Sequence, residues 1–133
     1  MTVLLNAAAT ANDVYMHSHP KTFSICKDAL KRCRDWVRGE LVSPAELANY
    51  IDAECSENPW MEESLFDDDS EGLKALIFVT MVIAHVAHFA YIGNGQESRM
   101  SESISEAGIS LIDALIEYGK RYGLVVSGPI SEA

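Results

Sequence analysis

Basic residues are scarce in this sequence, and their scarcity limits the kinds of partner that the chain can bind. Its 133 residues include 10 lysines and arginines against 20 aspartates and glutamates, for a formal net charge of −10. A surface of this sign repels phosphate groups, which argues against nucleic acid and against an anionic membrane as partners. We therefore expect a basic protein as the partner.

Cysteine is also rare, and its pattern argues against disulfides. Cys26, Cys33 and Cys55 make an odd number, and no Cys-x-x-Cys motif is present. Cys26 and Cys33 stand seven residues apart on one apolar helical stripe, so we interpret both as small core residues and neither as a nucleophile. The opening residues, MTVLLNAAATAND, lack the basic region and the long apolar core of a signal peptide. We expect reduced thiols and a cytoplasmic protein.

Recognisable catalytic and cofactor-binding motifs are missing as well. The sequence has no Ser-His-Asp set, no glycine-rich phosphate loop and no zinc-ligand spacing that can be defended. We therefore predict a protein that is not an enzyme, with no catalytic residue, no cofactor and no metal. A large hydrophobic fraction, 48%, nevertheless predicts a folded domain.

Two histidines, His85 and His88, are the nearest approach to a metal-binding pattern. They lie three residues apart and so share one helical face. Di-iron helical bundles pair such a histidine with a glutamate three positions earlier, where this chain has Val82. We expect hydrogen-bonded core or boundary histidines. A helical metalloprotein or enzyme that uses His85 and His88 remains the alternative.

One long apolar stretch, residues 73–92, dominates what the sequence does contain. From residue 75 onward only Thr80, His85 and His88 interrupt it. The stretch is too long for an ordinary strand, and a helix apolar on almost every side belongs either in a membrane or in a protein core. The histidines, and the lack of Lys or Arg just beyond the stretch, favour the core. We predict a central buried helix at about 72–92.

Amphipathic patterns predict about four further helices. An alanine-rich stripe covers residues 3–16, and a stripe with spacings of three and four covers residues 21–38, which also carry six of the ten basic residues. Ser43, Pro44 and Glu46 mark the capped start of a short helix that ends near residue 55.

The last helix is expected from about residue 101 or 103 to residue 122, where Gly108 would let a neighbouring helix approach closely. His17 and His19, between the first two helices, are expected to be exposed loop residues. The predicted fold is all-α: a single domain over residues 1–133, with about five helices in a bundle around the central helix and a tail at 124–133.

The acidity of the chain is local. Residues 52–71 contain nine acids and no Lys, Arg or His, which leaves eleven acids and ten bases outside, so the charge is −9 inside and −1 outside. Within this segment, residues 56–69 form a predicted connector. Its simpler interpretation is a solvated loop. The functional interpretation is an interface in which apolar anchors stand among steering charges. The predicted partner-binding residues are Trp60, Met61, Glu62, Glu63, Phe66, Asp67, Asp68 and Asp69. Asp69 or Ser70 is also the predicted N-cap of the central helix.

A resemblance to a known class of proteins adds to this interpretation. The order of CRDW at 33–36, SPAELANYID at 43–52, an acidic insertion and AHVAHFAYI at 84–92 resembles small all-α immunity proteins of bacterial polymorphic toxin systems. In particular it resembles an Imm-type family with a Cys-x-x-Trp motif near the end of an early helix. The resemblance implies a protein that blocks a toxin made in the same cell by binding it tightly.

Together with the acidic connector, the resemblance predicts occlusion of a basic cognate toxin, for which a nuclease is one candidate. A homo-oligomeric adaptor remains open, in which the basic second helix of one copy pairs with the acidic segment of another; a homodimer is thus one expectation. Pairing of these segments within one molecule would move the interface elsewhere. The last helix would then be the candidate surface, through Glu102, Glu106, Asp113 and Glu117.

Overall fold

A computed structural model describes residues 1–52 and 66–123 of the chain, and all regular structure in these two ranges is helical. Single 3-10 turns lie at Glu97–Arg99, Ile109–Leu111 and Lys120–Tyr122. The α-helices are α1 (Thr2–Tyr15), α2 (Pro20–Val37), α3 (Pro44–Asp52), α4 (Ser70–Gly93), α5 (Glu102–Ser105) and α6 (Ile112–Gly119). The predicted all-α fold is confirmed.

Helix α4 is the centre of the bundle and contacts α1, α2, α3, α5 and α6. It is the one helix in the described ranges that is long and apolar enough to cross a membrane, with a mean hydropathy of 2.0 over its most apolar 18 residues. However, 72% of those residues are buried inside the protein. The prediction of a central buried helix is thus confirmed, and the helix begins two residues earlier than expected.

Burial on several sides explains why α4 carries almost no polar side chains. Leu76, Phe78, Val82 and Ile83 are all fully buried, and burying a side chain of this size contributes about 1.5–3 kcal/mol. Thr80 is also buried, and its hydroxyl donates to the carbonyl oxygen of Leu76 at 2.9 Å. A polar group is therefore accommodated inside the core without a partner from another helix.

Small residues bring α1 and α2 close to the central helix. Ala8 and Ala11 of α1 are fully buried, as are both cysteines of α2, Cys26 and Cys33. Burial raises the pKa of each thiol to about 12, so both remain protonated at neutral pH and are poor nucleophiles. The prediction that these cysteines serve core packing is confirmed.

The start of α3 follows the predicted capping pattern and also joins α3 to α2. The backbone N–H of Glu46 donates to the Ser43 hydroxyl oxygen at 3.1 Å, which confirms the predicted cap. The Glu46 carboxylate accepts a hydrogen bond from Arg32 Nε on α2. Arg32 also donates to Asp35 at 3.0 Å. Part of the basic charge of α2 is therefore paired within the helical bundle.

The prediction of one long last helix is wrong. Helix α5 ends at Ser105, and the chain turns through Gly108, whose ψ of −149° is not helical, before α6 begins at Ile112. Gly108 is buried, and a Cβ atom added there would lie 2.7 Å from Nε2 of His88. The predicted close approach at Gly108 is confirmed, but the neighbouring group is the imidazole of His88.

Both histidines of α4 hold this break in place by hydrogen bonds. Nδ1 of His85 donates to the carbonyl oxygen of Ala107 at 2.8 Å, and Nδ1 of His88 donates to that of Ile104 at 2.9 Å. Ile104 lies in α5 and Ala107 just beyond its end, so the two rings attach the end of this short helix to the central helix. The prediction of hydrogen-bonded core or boundary histidines is confirmed.

The first testable prediction concerns the close approach at Gly108. We expect Gly108→Ala to lower the free energy of unfolding by about 1–3 kcal/mol, because the added methyl group collides with the hydrogen-bonded His88 ring. Gly93→Ala is the matched control: its Cβ would meet Trp36 at 3.9 Å, an ordinary contact, so we expect its stability to equal or slightly exceed that of wild type. Urea unfolding of the three proteins measures this, and equal losses at both sites would contradict the prediction.

The second prediction concerns pH. Burial lowers the pKa of His85 from its ordinary value of 6.5. The unfolded chain therefore binds a proton at this residue before the folded protein does, and stability falls as the pH drops below about 6.5 toward the lower folded pKa. We expect this loss to begin as the pH falls below about 6.5, before the carboxylates titrate near pH 4.

Urea unfolding across this pH range tests the prediction, with His85→Gln as the variant and the exposed His17→Gln as its control. We expect the pH dependence to shrink in His85→Gln and to persist in His17→Gln. NMR titration of the His85 ring in the wild-type protein provides a second measurement. A ring that gains its proton at or above pH 6.5 would contradict the prediction even if the variant failed to fold.

Candidate functional site

The predicted partner-binding residues fall into two groups. Trp60, Met61, Glu62 and Glu63 lie outside the described residues. Phe66, Asp67, Asp68 and Asp69 immediately precede α4, and we refer to residues 66–69 as the acidic turn. The acidic turn is therefore the part of the predicted site whose geometry the structure provides.

Phe66 attaches the acidic turn to the protein core. Its side chain is 1% exposed, and its ring stacks on the imidazole of His19 with the centroids 3.7 Å apart and the planes 24° apart. The ring is therefore buried in the free protein, where it fixes the position of the three aspartates that follow. Its contact with a partner stays a prediction.

His19 is a residue of this site that sequence reasoning missed. We expected an exposed loop residue, and that prediction is wrong for His19, which is buried at the start of α2, although His17 is exposed as expected. Nε2 of His19 donates to Oδ2 of Asp69 at 2.8 Å. The two residues are 50 positions apart in the chain, and no local pattern in the sequence announces their contact.

Asp69 is the N-cap of α4, as predicted. Its Oδ1 accepts a hydrogen bond from the backbone N–H of Gly72 at 2.9 Å. This bond, followed by the one from His19, lowers the pKa of the Asp69 carboxyl. Gly72 leaves room for the carboxylate, because a Cβ added at this position would lie only 2.2 Å from Oδ2. The cap therefore requires both the aspartate and the glycine.

Asp67 and Asp68 are the solvent-facing charges of the acidic turn. Both side chains are exposed, whereas Asp69 is about one-third exposed and engaged with His19. Glu71, in the first turn of α4, is also exposed at this helix end, but its carboxylate pairs with Lys74 at 3.4 Å. The positive end of the helix dipole partly offsets the repulsion among these groups. The result is a set of negative charges in fixed positions that can pair with cations of a partner.

Two basic residues of α2, Arg32 and Arg34, make contacts away from the acidic turn. Arg32 pairs with Asp35 and with Glu46, as described above, and Arg34 donates to Oδ1 of Asn6 on α1 at 3.0 Å. These contacts join α1, α2 and α3 to one another. None of these contacts involves Asp67 or Asp68.

The histidines of α4, on which the metal-binding alternative depends, are both hydrogen-bonded to the backbone of another segment. Each ring already uses Nδ1 to hold a backbone carbonyl. Within residues 1–52 and 66–123, no cluster of three or more His, Cys, Asp or Glu side chains could hold a metal ion. These two rings attach the segment around the end of α5 to the central helix by hydrogen bonds.

Comparison with known proteins identifies a family. The family model described as Immunity protein Imm6 matches residues 2–121, a range that includes all six helices and the acidic turn. Searches of curated proteins and of solved structures gave no match. The match therefore extends over nearly the whole helical part of the chain.

The third prediction separates the anchored aspartate from the exposed ones. We expect Asp69→Ala to lower the free energy of unfolding by about 1–3 kcal/mol, since it removes the cap of α4 and the partner of the buried His19. The exposed Asp68→Ala is the matched control and is expected to change stability by no more than about 0.5 kcal/mol. Thermal or urea unfolding at pH 7 measures both.

The pH dependence of the same variants provides an independent check. The pKa of Asp69 is lowered from its ordinary value of 3.8, so its contribution is complete above that value and is lost as the pH falls through the lower folded pKa. The difference between wild type and Asp69→Ala should therefore shrink below about pH 4. A difference that does not change with pH would contradict the assignment of Asp69 as a charged cap.

Proposed function

Because the chain belongs to the Imm6 family of immunity proteins, we propose that it binds a basic cognate toxin at the acidic turn and blocks the toxin by occlusion. The single observation that carries this proposal is the exposure of Asp67 and Asp68 on a turn that is itself anchored. Phe66 and the pair of His19 with Asp69 fix the backbone on either side of the two free carboxylates. Charges held in place in this way lose little conformational freedom on binding.

Electrostatics gives this surface its preference for a basic partner. Nine acids without one basic residue lie between positions 52 and 71, and the rest of the chain is almost neutral. Such a local field accelerates encounter with a positively charged surface and orients the partner before contact. Its effect weakens with salt, because the screening length is about 8 Å at physiological ionic strength.

A nuclease is the toxin class that fits this chemistry best. The active cleft of a nuclease is basic because it attracts phosphate, and carboxylates can occupy the positions of phosphate groups. In this proposal Asp67 and Asp68 pair with the toxin directly and Asp69 keeps them in place. Glu62 and Glu63 are proposed to extend the charged surface, and Trp60 and Met61 to act as apolar anchors.

A protein that inhibits a toxin by binding to it needs no catalytic activity of its own. Asp67 and Asp68 of the acidic turn face solvent at a helix end, a location suited to pairing with cations, and the two thiols described above are protonated and buried. An immunity protein must meet its toxin before the toxin acts, so we propose that this chain works in the cytoplasm of the cell that makes both.

The fourth prediction tests the surface by charge reversal. The chain is produced together with the product of the neighbouring gene, and complex formation, binding affinity and rescue of growth are measured. We expect the double variant Asp67→Lys/Asp68→Lys to weaken binding at least about tenfold, roughly 1.4 kcal/mol, mostly through slower association. Rescue of growth should weaken in parallel.

Asp113→Lys/Glu117→Lys is the matched control, since it changes the net charge by the same amount at two exposed positions of α6. We expect it to bind like wild type. Loss of binding in the control, with binding retained in the acidic-turn variant, would place the interface on the last helices. A neighbouring product that neither binds the chain nor harms the cell would contradict the proposed function itself.

A further inference from the structure

A second surface, at the opposite end of the central helix, has a different chemical character from the acidic turn. It is a groove of about 570 Å³ between the beginning of α1 and the ends of α2 and α4. No charged side chain lines it. We call it the apolar groove, and the residues that define it are Met1, Thr2, Trp36, Val37, Phe89 and Ile92.

The exposure of this groove is unusual for the side chains that form it. Val37 and Ile92 are each 39% exposed, and Leu41, four residues beyond Val37, is fully exposed. Trp36 and Phe89 are only partly buried. Sequence reasoning placed Val37 in the apolar stripe of α2, yet the structure leaves it at the surface. Large apolar and aromatic side chains collected around one concave surface are typical of protein interaction sites.

The position of the groove separates it from the acidic turn. Helix α4 is 24 residues long, so its two ends are about 36 Å apart at 1.5 Å per residue. This is several times the screening length of about 8 Å at physiological salt. A partner in the groove therefore does not experience the strong negative field of the acidic turn.

This separation matters most when the partner is another copy of the same chain. Two molecules of net charge −10 repel each other, and contact through the acidic turn would bring the most negative surfaces together. Contact through the groove avoids this repulsion because it keeps the two acidic turns far from each other. Both acidic turns then point away from the contact.

Two charged residues that follow the groove residue Val37 in the chain, which we call the rim, can pair across a two-fold axis. Arg38 and Glu40 follow Val37 directly in the chain, carry opposite charges and are both exposed. The Arg38 guanidinium lies 3.9 Å from Oδ1 of Asp35, a long contact, and its side chain is 67% exposed. A two-fold interface presents the same surface twice, so Arg38 of one copy can pair with Glu40 of the other at two symmetric positions.

We propose that the apolar groove is the contact surface of a symmetric homodimer. Trp36, Val37, Phe89 and Ile92 supply its buried centre, and Arg38 and Glu40 form a charged rim that fixes the orientation of the two copies. The dimer does not depend on the proposed function. If both hold, one dimer carries two acidic turns, one at each far end, and binds two toxin molecules.

The fifth prediction tests this dimer by its mass. Sedimentation velocity and light scattering over a range of protein concentrations should show a monomer–dimer equilibrium for the wild-type protein. We expect Val37→Glu to weaken the dimer about 100-fold by placing a charge in the apolar centre. Val14→Glu is the matched control, because Val14 is an exposed valine of α1, 58% exposed, that lies outside the groove. It should dimerise like wild type.

A charge swap on the rim provides a second test with exposed residues that folding does not require. Arg38→Glu should weaken the dimer, because it places two acids opposite each other, and Arg38→Glu/Glu40→Arg should restore it. Circular dichroism of each variant verifies that the helical fold is intact. Restoration by the double variant is the result that a merely destabilising substitution would not produce.

Three results would overturn the proposal. The first is a monomeric wild-type protein at all concentrations, and the second is a dimer that Val37→Glu leaves unchanged. The third is a monomer whose binding to the toxin is lost in Val37→Glu, since the groove would then belong to the toxin. Failure of the proposed function gives a different result, in which the dimer and its sensitivity to Val37→Glu persist while the neighbouring product does not bind.

Discussion

The burial of α4 is the constraint on which the rest of this structure depends. A helix that is apolar on almost every side is stable in water only if other elements cover it, and five helices do so here. Alanines of α1 and cysteines of α2 occupy buried positions, and their small side chains allow these two helices to pack closely against α4.

Histidine side chains form hydrogen bonds with polar groups near both ends of this apolar helix. Near its beginning, His19 stacks on Phe66 and holds the carboxylate that caps the helix. Near its end, His88 donates to the carbonyl oxygen of Ile104 in α5, and His85 donates to that of Ala107 just beyond α5. Imidazole suits both tasks, because its ring packs like an apolar group while its nitrogen satisfies an oxygen that has lost contact with water.

The arrangement leaves two chemically different surfaces at the two ends of one rigid helix. The charged end is the surface that we propose attracts a basic toxin, and membership of the Imm6 immunity family supports a cognate toxin as the partner. The apolar end has the properties expected of a contact between like molecules. A rigid central helix keeps the two surfaces apart, so that each can bind without the field or the bulk of the other.

The sequence by itself determined the helical class, the central helix, the caps at Ser43 and Asp69, and the location of the acidic charge. These features depend on periodicity, on composition and on residues within three or four positions of one another, and all of these can be read along a chain. The break of the last helix at Gly108 was visible only in part, since the glycine suggested a close neighbour but not that the neighbour would end the helix.

Only the tertiary structure decided the partners of the histidines, the burial of Phe66 and the exposure of Val37. His19 and Asp69 meet across 50 residues, and Val37 is exposed although it continues a buried stripe, because the core ends before α2 does. Such outcomes depend on where whole helices stop relative to one another. That is a property of packing in three dimensions, and no local pattern in the chain encodes it.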